Sequence, residues 1–260
     1  MIPGNEILWL LLLGLAAGVM GGLLGIGGSV IMIPVLTLFL NKNQHLSQAT
    51  AMIVNFCIAV PAMLRHNRAK MVRWDVMIRI LPFGLVFILL GVEASNRMSA
   101  SLLMRCFGIF LAYVIVRNVM KLFSGNTPND TDTPPAQWLG AGVVGVCTGF
   151  AAGLLGIGGG IVAVPLLQRM CHLPLRQCIA TSSALMCITS VLGACRKNLT
   201  LELLDPPQMV SQSLLIAACL APTAIIGSMI GANLTHALPL KWVRIAFITL
   251  LLAACIRYLT

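Results

Sequence analysis

Two short glycine-rich segments contain the residues of this chain best suited to bind a small anion. The first segment contains Gly25, Gly27, Gly28 and Ser29, and the second contains Gly156, Gly158, Gly159 and Gly160. Each interior glycine costs a helix about 1 kcal/mol relative to alanine, so we expect the helix to break at both segments. The helix that follows each break then presents free backbone N–H groups and the positive end of its dipole, which together favour anions.

The two glycine segments belong to an internal repeat. Each residue of the second segment follows its counterpart in the first by 131 positions, and the same spacing relates Pro34 to Pro165. After a longer loop, a spacing of 140 positions relates Pro82 to Pro222. We therefore predict a first transmembrane repeat at 1–123, a polar linker at 124–136 and a second transmembrane repeat at 137–260. Repeats of this length are typical of secondary transporters, whose substrate sites lie where the halves meet.

The composition predicts that these repeats lie in a lipid bilayer. The chain has 260 residues, of which 58% are hydrophobic and 9% are charged. Since a helix needs about 20 mostly apolar residues to cross a bilayer, the apolar runs predict about eight crossings. These runs lie at roughly 7–40, 48–64, 76–94, 102–122, 137–168, 177–195, 210–234 and 241–259. The predicted fold is an all-α integral membrane protein of two four-helix halves, each with a glycine-broken first helix.

The net charge of +10 does not indicate nucleic-acid binding, because the cations cluster in short loops between apolar runs. Basic residues occur at 65–79 and, at the corresponding place in the second repeat, at 196–197. Under the positive-inside rule, these loops, the linker and both termini are predicted in the cytoplasm. This arrangement favours repeats of the same orientation. The sequence leaves open whether the chain after each glycine break continues across the bilayer or turns back, which would make inverted repeats possible.

Few other polar residues lie within the apolar runs. Hydroxyl and amide groups that could donate hydrogen bonds to an anion, or bond to neighbouring helices instead, belong to Thr50, Asn55, Thr181 and Ser182. Arg65 and Arg196 could attract an anion or simply anchor helix ends at the interface. Glu93 is a candidate for proton coupling, the alternative being a simple position at the membrane interface. The nine cysteines show no metal-ligand spacing, so no metal site and no cofactor are predicted.

The paired motif Gly-x-x-x-Gly-x-x-Gly-Ile-Gly-Gly, followed after five residues by proline, resembles the TauE/SafE family of sulfite exporters. The resemblance covers nearly the whole chain. It implies an all-helical inner-membrane protein that moves sulfite, sulfoacetate or other organosulfonates, driven by the proton gradient. One departure is Ser29, which stands where the second copy has Gly160.

The function that we predict is secondary transport of a small sulfur-containing anion across the inner membrane of a bacterial cell. A passive anion channel is the alternative, because the same helix ends could line a pore. A membrane enzyme is disfavoured, since the sequence shows no nucleophile–base pair and the glycine segments lack the lysine of a phosphate-binding loop. The expected partners are the anion and the bilayer, with no nucleic acid. The identity of the anion, the direction of transport and any homo-oligomer stay open.

Overall fold

The computed structural model describes residues 4–123, 138–204 and 206–234, together with Leu252 and Cys255. The predicted linker at 124–136 and the last predicted crossing at 241–259 fall almost wholly outside these residues. The described residues form only helices and the turns between them. The helices are α1 (Gly4–Leu24), α2 (Ser29–Pro34, continued by a π-helical turn at Val35–Phe39), α3 (Gln44–Arg68), α4 (Trp74–Asn96), α5 (Ala100–Phe123), α6 (Trp138–Leu155), α7 (Gly160–Met170), α8 (Leu175–Thr200) and α9 (Val210–Leu234).

Several of these helices are suited to cross a bilayer. Among the described residues, five are long and apolar enough by length and composition, at 6–24, 44–68, 74–96, 175–203 and 210–234. The described part of the chain is thus all-helical, and the protein is a multi-pass membrane protein. The count of eight crossings and the repeat boundaries stay predictions.

Both glycine segments reverse the chain direction. Helix α1 ends at Leu24, and by Lys42 the chain has returned to the start of α1, where Lys42 Nζ lies 3.2 Å from Glu6 Oε2. In the same way, α6 ends at Leu155, and a methyl group at Gly140, near the start of α6, would lie 3.0 Å from the Met170 carbonyl oxygen. Each pair of helices is therefore a hairpin whose two open ends lie on the same side.

Helices α3 and α8 pack against each other in antiparallel directions. At one end of the pair, His45 Nδ1 lies 3.0 Å from Lys197 Nζ. Towards the other end, Met63 packs against the small residues Ala180 and Ala184. Because α3 and α8 are the corresponding helices of the two sequence repeats, this contact places corresponding helices in opposite directions.

Glycine stripes hold the first helix of each repeat against a helix of the other repeat. A methyl group at Gly14, Gly18 or Gly22 of α1 would collide with a backbone carbonyl oxygen of α9, at Leu220, Ala224 and Ser228 respectively. Gly145, Gly149 and Gly153 of α6 meet α4 in the same way, at Ile80, Gly84 and Ile88. Small residues at this spacing allow close backbone approach, which drives helix association in lipid.

The prediction that the basic loops at 65–79 and 196–197 share one side of the membrane is wrong. The Arg73 N–H donates to Thr181 Oγ1 near the start of α8. In contrast, Arg196 near the end of α8 contacts Glu93, close to the end of α4. The two loops therefore lie at opposite ends of the antiparallel pair. The positive-inside rule gave the wrong result here because a common side for the two loops holds only if the glycine segments do not reverse the chain.

The glycine stripe of α6 predicts that two alanine substitutions differ in their effect on the free energy of unfolding. Gly149→Ala would bring a methyl group to 2.5 Å from the Gly84 carbonyl oxygen, whereas Gly142→Ala meets only the Phe83 ring at 3.7 Å. We expect Gly149→Ala to lower the free energy of unfolding by about 1–3 kcal/mol through overpacking. Thermal unfolding in detergent measures the change, and Gly142→Ala should match the wild type. Equal stability of the two variants would contradict the packing.

The antiparallel arrangement also predicts where single cysteines can be labelled. In a background without the native cysteines, Lys70→Cys and Glu202→Cys occupy exposed positions at opposite ends of the α3–α8 pair. A membrane-impermeant thiol reagent added to intact cells should label one of them only. Arg97→Cys is the internal control, because it should behave like Glu202→Cys. Labelling of both Lys70→Cys and Glu202→Cys from outside would rule out the arrangement.

Candidate functional site

The two glycine segments meet in the interior, between the middle parts of α3 and α8. Gly160 packs directly on the backbone of Gly25, whose carbonyl oxygen occupies the space that a side chain at Gly160 would need. A methyl group at Gly27 would lie 2.9 Å from both Asn55 Oδ1 and Met186 Sδ. At Gly158 it would lie 2.9 Å from Asn55 Nδ2 and 3.0 Å from the same sulfur.

The backbone at these glycines requires the absence of a side chain. Gly27 and Gly158 have φ values of +78° and +68°, in the left-handed region that other residues rarely adopt. Sequence spacing relates Asn55 to Met186 by the same 131 positions that separate the two glycines. The site therefore contains one pair of corresponding glycines and one pair of corresponding side chains.

The side chain of Asn55 caps the helix that begins at the first glycine segment. Its Oδ1 accepts hydrogen bonds from the Gly28 N–H at 3.1 Å and from the Ser29 N–H at 3.2 Å. The sequence predicted that these two N–H groups would be free to bind an anion, and in this structure they are not. The amide oxygen of Asn55 takes the place of an anion at the start of α2.

The second glycine segment is left without such a cap. Met186 stands where Asn55 stands in the first repeat, and a thioether is a weak acceptor. Among the described residues, no group accepts a hydrogen bond from the Gly159 or Gly160 N–H, at the start of α7. Nearby, Asn55 Nδ2 and Ser29 Oγ are buried and likewise have no hydrogen-bond partner within the described ranges. Buried donors without acceptors are costly, so this group of donors is suited to receive an acceptor from outside the protein.

Polar side chains also hold the ends of the helices that precede the breaks. Ser182 Oγ donates to the Gly25 carbonyl oxygen at 3.0 Å. On the other side, Gln48 Nε2 donates to the Leu154 carbonyl oxygen at 3.2 Å, and the Gln48 side chain packs against Gly156. A helix end leaves several carbonyl groups without intrahelical partners, so these bonds fix the position of each break.

Thr50 and Thr181, predicted to bind the anion, make other contacts. Thr50 Oγ1 donates to Ser213 Oγ of α9 at 3.4 Å. Thr181 Oγ1 accepts from the Arg73 N–H at 3.1 Å. Both hydroxyls connect helices, and within the described residues neither is seen to hydrogen-bond a glycine segment. Pro34 and Pro165 lie within α2 and α7, several residues after the breaks.

The charged candidates lie on the outside. Glu93 contacts Arg196 at 3.1 Å and Arg97 at 3.4 Å, and its side chain is 40% exposed. Arg65 is exposed at the end of α3. Exposed ion pairs of this kind contribute about 0–1 kcal/mol. At the opposite end of α4, the hydrogen bond from Arg73 to Asp75 raises the pKa of the Arg73 guanidinium.

One buried cation was missed by the sequence reasoning. Lys197 is fully buried, and its Nζ contacts His45, Ser95 and Asn96. Lys197 does not lie in the predicted basic loop, because α8 continues through it to Thr200. The sequence does contain a signal that α8 continues here, because Lys197 directly follows Arg196 on an uninterrupted helical pattern. No group of three or more metal-binding side chains lies within the described part of the chain.

Known proteins resemble this chain over most of its length. Residues 10–258 match the family model described as sulfite exporter TauE/SafE. A probable membrane transporter protein, YunE of Bacillus subtilis, is 26% identical over 95% of both chains. The probable membrane transporter protein MJ0441 of Methanocaldococcus jannaschii is 30% identical over 71% of this chain and 69% of its own.

A longer relative is the probable membrane transporter protein MamO of Paramagnetospirillum magneticum. It is 26% identical over 98% of this chain, which spans only 45% of the length of MamO. No solved structure matches the chain. The family match, which covers far more than half of the residues, establishes that this chain belongs to the TauE/SafE sulfite exporter family of membrane transporters.

Proposed function

We propose that this protein is a secondary transporter of small sulfur-containing anions, such as sulfite or a compact organosulfonate, across the bacterial inner membrane. The observation that supports this proposal is the set of unused hydrogen-bond donors on the two glycine segments and on Asn55 between them. They are the N–H groups of Gly159 and Gly160, Asn55 Nδ2 and Ser29 Oγ. The family description supplies the sulfite.

The chemistry of these donors fits an oxyanion. The start of α7 carries a partial positive charge of about +0.5, too little to hold a desolvated anion by itself. The amide of Asn55 and the hydroxyl of Ser29 add neutral donors from the first repeat. No carboxylate takes part in the contacts described around these donors. A compact anion with several acceptor oxygens can satisfy all of them, whereas an organic cation satisfies none.

The proposed site is shared by the repeats but not symmetric. Asn55 uses its oxygen to cap the first segment and leaves its amide nitrogen directed towards Gly158 of the second. Ser29 has no counterpart hydroxyl at Gly160. We therefore assign anion binding mainly to the second segment and positioning of the donor groups to the first.

The architecture that goes with this function is a pair of inverted four-helix halves, 1–123 and 137–260. In each half we count the helix that enters the bilayer and turns back at the glycines as the first of four. The antiparallel contact of α3 and α8 supports inversion. Inverted repeats around a central site allow one half to rock against the other, which opens the site alternately to the two sides.

A passive anion channel is the competing function. A transporter and a channel respond differently to unlabelled anion on the opposite side of the membrane. In proteoliposomes, we expect uptake of radiolabelled sulfite to saturate and to accelerate when unlabelled sulfite is present inside. A proton gradient should drive accumulation. Flux that follows only the electrochemical gradient of sulfite, without exchange stimulation, would favour the channel. Empty liposomes and a bulky organic cation serve as controls.

Asn55→Asp separates the binding role of Asn55 from its structural role. The carboxylate can still accept from the Gly28 and Ser29 N–H groups, so α2 should stay capped and the protein folded. The substitution removes the Nδ2 donor and adds a negative charge beside the anion. Since a hydrogen bond to a charged group contributes about 1.5–3 kcal/mol, we expect sulfite affinity to fall at least about tenfold.

Binding of sulfite to the purified variant, measured by calorimetry, tests this expectation. Ser213→Ala is the control, because the hydroxyl of Ser213 bonds to Thr50 and to none of the proposed anion donors. That variant should bind sulfite as the wild type does. Wild-type affinity in a folded Asn55→Asp protein would remove Asn55 Nδ2 from the site.

A further inference from the structure

Within the described part of the chain, the buried ammonium group of Lys197 contacts neutral acceptors only. Its Nζ is 2.8 Å from Ser95 Oγ, 2.8 Å from Asn96 Oδ1 and 3.0 Å from His45 Nδ1. An ammonium has three protons to donate, and these three atoms can accept one each. The nearby carboxylate of Glu93 is engaged by Arg97 and Arg196 instead. Such an isolated intramembrane charge is expensive and calls for a functional explanation.

The hydrogen bonds of His45 define its tautomer. Its Nε2 lies 3.2 Å from the Met98 carbonyl oxygen, which can only accept, so Nε2 carries a proton. Its Nδ1 faces the ammonium of Lys197 and must therefore be unprotonated. The Lys197–His45 pair thus holds a single positive charge, and a second proton on His45 would set two donors against each other.

A chain of hydrogen bonds leads from this pair to the second glycine segment. Ser95 Oγ accepts from Lys197 and donates its own proton to Gln48 Oε1 at 3.1 Å. The amide nitrogen of Gln48 then donates to the Leu154 carbonyl oxygen at the end of α6. Leu154 directly precedes the last residue of α6, and Gly156 packs on the Gln48 side chain.

We propose that the Lys197–His45 pair is the proton-binding site that couples transport to the proton gradient, through Ser95 and Gln48. This inference rests on the proposed transport function. When Lys197 is protonated, Ser95 must donate to Gln48, and the Gln48 amide is oriented towards Leu154. When Lys197 is neutral, its lone pair can accept the Ser95 proton, so the Gln48 oxygen loses its donor. The amide is then free to rotate and to release the end of α6.

The site is specific to one end of the protein. The 131-residue repeat spacing places His66 at the position that corresponds to Lys197, and Arg176 at the position of His45. Among the described residues, the other ionisable groups at this end include Lys42 and Glu6 beside the start of α3, Glu93 and Arg97 at the end of α4, Arg196 from α8 and Glu202 after it. All six are partly or fully exposed. The bonds described above connect the Lys197–His45 pair to the glycine segment.

Hydrogen exchange tests the proposal without any substrate. We expect amide exchange of the 156–160 segment, corrected for the intrinsic effect of pH, to be about fivefold faster at alkaline than at acidic pH, as loss of one hydrogen bond implies. Lys197→Met and Gln48→Met should each remove this pH dependence. Arg97→Gln is the matched control, because it removes a positive charge at the same end of the membrane and should keep the response. If Lys197→Met does not fold, the pH dependence of amide exchange in Gln48→Met and Ser95→Ala tests the proposal instead.

Transport supplies the second measurement. In proteoliposomes, Lys197→Met should retain sulfite exchange while accumulation driven by a proton gradient falls about tenfold, within the range of ordinary coupling energies. Unchanged proton-driven accumulation in Lys197→Met, or a pH response of the 156–160 segment that persists in both Met variants, would overturn the proposal. If the wild type exchanges no sulfite, the assigned substrate is wrong, and the exchange of the 156–160 amides still decides the role of Lys197.

Discussion

The structure depends on a direct backbone contact between the two glycine segments in the membrane interior. Gly160 packs on the carbonyl group of Gly25, and Gly27 and Gly158 contact the same two side chains, Asn55 and Met186. Non-helical backbone is tolerated at this depth only where protein satisfies its polar groups. Part of this backbone is hydrogen-bonded by the side chains of Asn55, Ser182 and Gln48. The donors that remain unused define the candidate site.

This contact also constrains the surrounding helices. The two segments meet where α1 and α6 enter from opposite sides and turn back, and α3 and α8 run antiparallel between them. The glycine stripes of α1 and α6 then pack against α9 and α4, each a helix of the other repeat. Close approach replaces the hydrophobic effect as the source of association, because lipid and apolar side chains are equally hydrophobic. The two repeats are thereby interlocked rather than merely adjacent.

The asymmetry between the repeats is as informative as their similarity. Asn55 caps one segment, whereas Met186 leaves the other uncapped, and Ser29 corresponds in sequence to Gly160 of the second segment. Lys197 is buried near one end of the α3–α8 pair and is connected to the uncapped segment through Gln48. A strictly symmetric site would offer no distinction between binding and coupling, and these differences support the proposal that the two roles lie at different places.

The sequence alone determined the membrane class and predicted the internal repeat and the helix breaks at the glycines, since hydropathy and glycine act locally. It placed the interruption after Leu24, where α1 ends, and it singled out Asn55. It did not determine that the chain turns back, so it assigned both basic loops to one side. Nor did it reveal that Thr50 and Thr181 bond elsewhere or that Lys197 is buried. Those features depend on which helices pack together, and contacts between residues more than a hundred positions apart are decided only by the tertiary structure.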